Sequence, residues 1–230
     1  MKYLMIKRDL LKLVLYLLSF SILISCSSTK KRVEDWTHFF EPCNFGVTHE
    51  TNANQFIVKQ RQRNDCWFAS YIMLKSWKDQ TLYDYNDVKQ EMGSWKYQIK
   101  RNLGLWVEEQ PNFIKDMNLG FYPPANYTYE GFVQLLDKHG PLMICMGASG
   151  FNHARILFKV ECGEVKSKTI FHMINPNKGK IEKWNAYDFF KTFESEAQEI
   201  VEEHEGLTED QKKRNEKMNL AWRYQVIFIE

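Results

Sequence analysis

Gln60-Arg61-Gln62-Arg63-Asn64-Asp65-Cys66-Trp67-Phe68-Ala69-Ser70, running on through Met73-Leu74 to Trp77, is the stretch from which the rest of the chain can be read. From Cys66 onward, apolar or small residues stand at 66, 69, 70, 73, 74 and 77, the i, i+3, i+4, i+7 spacing that lays one side of a helix on a core. Residues 61–65 are polar and carry no period. The pattern therefore predicts a buried helix beginning close to Cys66, with Asn64 or Asp65 able to cap its free N–H groups. A thiol on a first turn meets the positive end of the helix dipole and unpaired backbone N–H groups. Both favour the thiolate, and with a cationic neighbour the thiol pKa falls from about 8.5 to roughly 3.5–7.5. The plain alternative is a buried cysteine that opens a core helix and does nothing else.

Two later stretches weigh against the plain alternative. Gly150-Phe151-Asn152-His153-Ala154-Arg155-Ile156-Leu157-Phe158 reads as a loop feeding a strand, with His153 at its start. Ile170-Phe171-His172-Met173-Ile174-Asn175-Pro176-Asn177 reads as a strand ending in a polar turn, with Asn175 at its exit. A Cys at a helix start, then a His, then an Asn that orients the imidazole is the order of nucleophile, base and orienter. Asn177 and His172 compete with Asn175 for the third place, and Asn175, at the strand exit before proline, is preferred.

With these residues in view, the chain resembles the papain-like cysteine peptidases. Gln60 stands six residues before Cys66, the spacing of that family's oxyanion-hole glutamine, whereas Gln62, four before, is out of register. Cys66-Trp67-Phe68-Ala69-Ser70, Asn152-His153-Ala154 and Asn175-Pro176 resemble its three catalytic blocks. The likeness runs over roughly residues 55–185 and is nearest to the compact bacterial branch, related to bacteriocin-processing peptidases and plant-pathogen effector proteases. It implies an α+β fold, a helical half bearing the nucleophile packed on an antiparallel sheet that carries His153 and Asn175. The implied activity is thiol-dependent hydrolysis of peptide bonds in a peptide or protein substrate, by a monomer that needs no cofactor or metal.

Residues 1–25 start with Lys2, Lys7, Arg8 and Lys12 and continue into the apolar run Leu13–Ile24, too short for a comfortable bilayer span of about 20 residues. This is the form of a secretory signal. Leu23-Ile24-Ser25-Cys26 resembles a bacterial lipoprotein box, which implies that Cys26 is lipidated and anchors the chain to an envelope membrane, periplasmic or surface-facing. The other readings are ordinary secretion or a retained apolar helix. Residues 26–45 would be a tether, with Trp36, Phe39, Phe40 and Phe45 packing on a domain spanning 46–230. The net charge of +2 is too near balance to point to nucleic acid. His38, Cys43 and His49 lack zinc-ligand spacing and read as local structure. Of the five cysteines, Cys145 and Cys162 could bridge in an oxidising compartment, with unpaired buried thiols the preferred reading.

Within the domain, Gln55–Val58 reads as a short strand delivering Gln60, and residues 83–92 as a short helix with Asp84 or Asn86 as cap. A helix follows over 106–117, and residues 119–122 then lead to the break at Pro123-Pro124. Thr128 caps a helix to His139 that Gly140-Pro141 stops. The unbroken apolar run Leu142–Met146 predicts a strand buried on both faces, and 155–160, 168–174 and 180–184 extend the sheet. Residues 188–193 read as a short helix, and 194–218, acidic then basic, as a solvated insertion. The alternation of Trp222, Tyr224, Val226 and Phe228 with Arg223, Gln225 and Ile227 predicts a closing C-terminal strand. The cleft walls would come from residues 93–120 and 148–151. Two rival functions remain at this level, a peptidoglycan amidase or peptidase and an inactive binding module that keeps the fold.

Overall fold

The computed structural model describes residues 43, 46–106, 109–122, 125, 127–146, 153–202 and 226–230, with side chains described as far as residue 194 in the last helix. The leader, Cys26, the tether apart from Cys43, its aromatics, Asn152, the 148–151 loop, residues 203–218 and Trp222 and Tyr224 lie outside the described residues. Among the described residues the seven strands are β1 (Thr48–Glu50), β2 (Leu119–Tyr122), β3 (Leu142–Met146), β4 (His153–Glu161), β5 (Ile170–Asn175), β6 (Lys180–Asn185) and β7 (Val226–Ile229). The α-helices are α1 (Cys66–Lys78), α2 (Tyr85–Glu91), α3 (Lys96–Arg101), α4 (Gln110–Asp116), α5 (Tyr129–His139) and α6 (Ala186–Glu202).

The strands form one antiparallel sheet in the order β2-β7-β3-β4-β5-β6, with β1 added along β4. The C-terminal strand pairs with both β2 and β3, so it is inserted within the sheet rather than closing its edge. Both faces are covered. Met143, Ala154, Ile156, Ile174 and Ile227 pack into the core shared with Trp67, Phe68, Ile72, Val88 and Phe113 from α1, α2 and α4. The alternate residues Leu142, Ile144, Leu157, Met173 and Val226 pack with Phe132, Leu136, Phe189 and Phe193 from α5 and α6. This is the period-2 alternation of strands apolar on both sides. The fold is thus α+β as expected, with a second helical layer that the two-part picture of helical half and sheet did not include.

Central helix α1 is buried almost all round, at Trp67, Phe68, Ala69, Ser70, Ile72, Met73, Leu74 and Ser76, a wider face than its seam pattern required. Residue Asp84 caps α2 by accepting from the Asn86 N–H at 2.7 Å, and Thr128 caps α5 by accepting from Gly131 at 3.1 Å. Both are N-cap bonds that satisfy a first-turn donor. Residues 55–58 are not a strand; Gln55 ends a short 3-10 turn, Asn52–Gln55, that the Phe56 N–H closes on the Ala53 carbonyl at 3.0 Å, and the Gln60 N–H bonds the Pro176 carbonyl at 2.9 Å. Helix α3 and the turn before it were not foreseen, and α6 runs well past 193 into the acidic stretch.

Disulfide pairing also differs from expectation. Cys162 bridges to Cys43, 119 positions away, and not to Cys145. The bond ties the segment before β1 to the end of β4, where Gly46 N–H also meets the Cys162 carbonyl and Cys162 N–H the Val47 carbonyl.

Candidate active site

Cys66 is the first residue of α1, and its thiol lies against the start of β4: the backbone N–H groups of Trp67 and of Ala154 both point at the sulfur. Ala154 is the neighbour of His153, so the helix start and the strand start meet at this thiol. The expected capping bond is absent. Asp65 holds the N-cap position but its buried carboxylate turns away, accepting from the Gln62 N–H at 3.1 Å and from the Tyr85 hydroxyl. Asn64 bonds Asn102 instead.

Burial is the largest influence on Cys66 and pushes its thiol above the ordinary range; the two N–H groups and the Arg155 charge pull it down, and Asp65 adds to the rise. The thiolate predicted from the helix start is therefore not the resting form. The reason is desolvation, because a partial charge at a helix end compensates only part of what removing a full charge from water costs, and the cap residue is itself an anion.

His153 opens β4, and its Nε2 lies 2.9 Å from Asn175 Oδ1. The same Oδ1 accepts the Asn177 backbone N–H at 3.0 Å. A backbone N–H can only donate, so this atom is an oxygen, and Nε2 must carry the hydrogen. Nδ1 is then left with its lone pair. Burial pushes the His153 pKa below its ordinary value, aided by Arg155 and Lys178, while Asn175 and Glu182 oppose the fall. A thiol raised and an imidazole lowered give a neutral pair at rest. Among the described residues no hydrogen bond joins the sulfur to the His153 ring. Such contacts are often long in a substrate-free site and tighten with substrate.

Gln60 reaches the site through its backbone bond to Pro176, next to Asn175. Its side-chain Nε2 donates to the Gln62 carbonyl at 2.8 Å and the Arg63 carbonyl at 3.0 Å, and its buried Oε1 has no partner among the described residues. Gln62 is turned elsewhere, to the Ile99 carbonyl at 3.1 Å. His172 is paired with Glu161 at 3.2 Å, away from His153. Trp67 is core, its Nε1–H donating to the Leu103 carbonyl at 3.3 Å.

Two residues at the site escaped the sequence reading, Arg155 and Glu182. Arg155, two positions after His153, approaches Glu182 at 3.6 Å, and Glu182 pairs with Lys178 at 2.6 Å and interacts with the Asn175 amide. The available signal was a charged residue in each of two strands packed on a core. Among the described residues no cluster of three His, Cys, Asp or Glu side chains could hold a metal.

A family model described as papain-like cysteine protease AvrRpt2 matches residues 47–196, a span that contains Gln60, Cys66, His153 and Asn175. No curated protein matches the chain. The match covers well over half of the 230 residues, on a fold of the corresponding α+β kind. The chain belongs to the papain-like cysteine protease AvrRpt2 family and is a cysteine peptidase.

Proposed function

We propose that Cys66 is the nucleophile of this peptidase, His153 its base, Asn175 the residue that orients the imidazole, and Gln60 an oxyanion donor. The observation that carries this reading is the His153–Asn175 bond, which leaves Nδ1 as the acceptor beside a helix start whose thiol faces Ala154. The Cys66 proton moves to Nδ1 as the sulfur attacks the scissile carbonyl carbon. The oxyanion takes hydrogen bonds from the Cys66 backbone N–H and Gln60 Nε2. Because both Gln60 N–H groups are engaged at rest, one of its carbonyl bonds must give way as the oxyanion forms. The imidazolium then protonates the leaving amine, and the thioester remains. Water attacks it with His153 again taking the proton, releasing the acid and the thiol.

The enzyme in this reading works in a bacterial envelope, held by a lipid on Cys26 after removal of residues 1–25, with 26–45 as tether and 46–230 as the peptidase of the bacteriocin-processing-like branch. The Cys43–Cys162 bridge supports an oxidising compartment, since such bonds persist outside the cytosol. Several acyl chains on one residue would anchor stably where one chain is marginal. Cys66→Ala is expected to abolish both cleavage of a peptide library and labelling by a thiol-directed epoxide; retention of either would refute the assignment. Cys26→Ser is expected to move the protein from the membrane fraction to the soluble one, and unchanged fractionation would count against the anchor.

A further inference from the structure

We infer that Glu182 is a positioning residue for hydrolysis: its carboxylate holds the Asn175 amide, and through Asn175 it fixes the His153 ring with hydrogen on Nε2. The inference rests on the reading of His153 and Asn175 given above, and the register of the sheet carries it. Leu157 lies opposite Met173 and Met173 opposite Glu182, while Asn175 lies opposite Lys180. Residues two apart on a strand share a face, so Arg155, Asn175 and Glu182 stand on one face, with Glu182 diagonal to Asn175.

An orienting amide has two ends. Asn175 Oδ1 is occupied by His153 Nε2–H and Asn177 N–H, which leaves Nδ2 needing an acceptor in a nearly inaccessible position. Glu182 is the carboxylate that interacts with that amide, from its diagonal position on β6. Rotating the amide by half a turn would present N–H groups to His153 and exchange the ring's tautomers; the Asn177 N–H opposes that rotation at Oδ1, and an acceptor opposes it at Nδ2. The glutamate is in turn held from two sides, by Lys178 Nζ at 2.6 Å and by Arg155 Nε at 3.6 Å, and only 13% of its side chain is exposed. Arg155 has its own supports, a bond to the Met146 carbonyl at 3.4 Å and the Trp184 ring 5.3 Å beneath its guanidinium. The chain of contacts runs Arg155 and Lys178 to Glu182, to Asn175, to His153. The charged groups that act on His153 are Arg155 on its own strand, Glu182 on β6 and Lys178 on the turn between β5 and β6.

The test reads the ring directly, by nitrogen-15 NMR of His153 in the full chain carrying Cys66→Ala, so that no substrate is needed. The parent is expected to show one neutral tautomer with hydrogen on Nε2. Glu182→Met, similar in length but without a carboxylate acceptor, is expected to give averaged ring-nitrogen shifts. Glu182→Gln, which loses the charge but keeps an acceptor, is expected to keep the parent tautomer. Adding Asn175→Ala to Glu182→Met should change the ring no further than Asn175→Ala alone, as for residues acting in series. A single parent-like tautomer in Glu182→Met overturns the inference, as does scrambling in Glu182→Gln equal to that in Glu182→Met. A parent whose own hydrogen sits on Nδ1 would instead refute the underlying reading of His153 and Asn175.

Discussion

Asn175 Oδ1 is bonded by a donor whose chemistry is beyond dispute, the Asn177 backbone N–H, and that identifies Nδ1 as the His153 nitrogen that keeps its lone pair. Replacing Asn175 with Ala is expected to lower kcat about 10- to 100-fold, the usual scale for losing a hydrogen bond that orients a reactive ligand or base, with KM little changed. Steady-state kinetics on a peptide identified from the library checks it. Gln60→Ala should remove the proposed oxyanion donor and cost about 2.7–4 kcal/mol of transition-state stabilisation, again as kcat. The lowered His153 pKa also fixes the sign of the acid limb. Protonated His153 cannot accept the Cys66 proton, so kcat/KM should hold as pH falls to 6.5, the ordinary histidine value, and drop only below it. A pH–rate profile that falls well above that value would contradict the neutral resting pair.

Elements that were read correctly are those whose signal is local. Helix α1 is encoded by its own spacing and α5 by Thr128 at one end and Gly140 at the other, and both stand at the expected places. Gly140 has φ +78°, and a Cβ added there would meet the Trp77 ring at 2.1 Å. Gly140→Ala therefore combines an unfavourable backbone region, worth about 1–3 kcal/mol, with a clash against α1. A fall in the urea midpoint at unchanged slope is the expected outcome. Phe132 is fully buried on α5, edge-on to Phe189 at 5.1 Å and Phe193 at 5.4 Å, so Phe132→Ala should cost about 3–5 kcal/mol. The misreadings and the omissions have one cause. The Phe56–Val58 segment looks like a strand but finds no ladder partner, and the Cys162 partner, the Glu182 contacts and the depressed His153 pKa all depend on sheet register or burial. Residue types and spacing in one strand carry no information on what the neighbouring strand places alongside. The candidate triad was legible because each of its members opens or closes an element; Arg155 and Glu182 sit mid-strand.

For the molecule as a whole, the Cys43–Cys162 bond closes a loop of 119 positions that contains β1 to β4. Breaking it as Cys43→Ser with Cys162→Ser should lower stability by about 2–4 kcal/mol through the entropy regained by the unfolded chain. Equal unfolding midpoints for the oxidised protein and the double variant would show that the bridge contributes nothing. Acid should destabilise the molecule as well. His139, His153 and His172 have pKa values lowered on folding, by burial in each case. Between the folded and unfolded values the unfolded chain binds more protons, so these groups contribute stability fully above pH 6.5 and lose it as pH falls through the lowered values. Thermal unfolding from pH 7 to 5 tests that sign. The proposed transfer of the Cys66 proton to His153 is tested without any substrate by the rate of Cys66 alkylation by iodoacetamide against pH, followed by mass spectrometry. With His153 intact, the thiol should react readily near pH 7, and in His153→Ala it should react only towards the alkaline range of a buried thiol; coincident profiles for the two proteins would contradict the account.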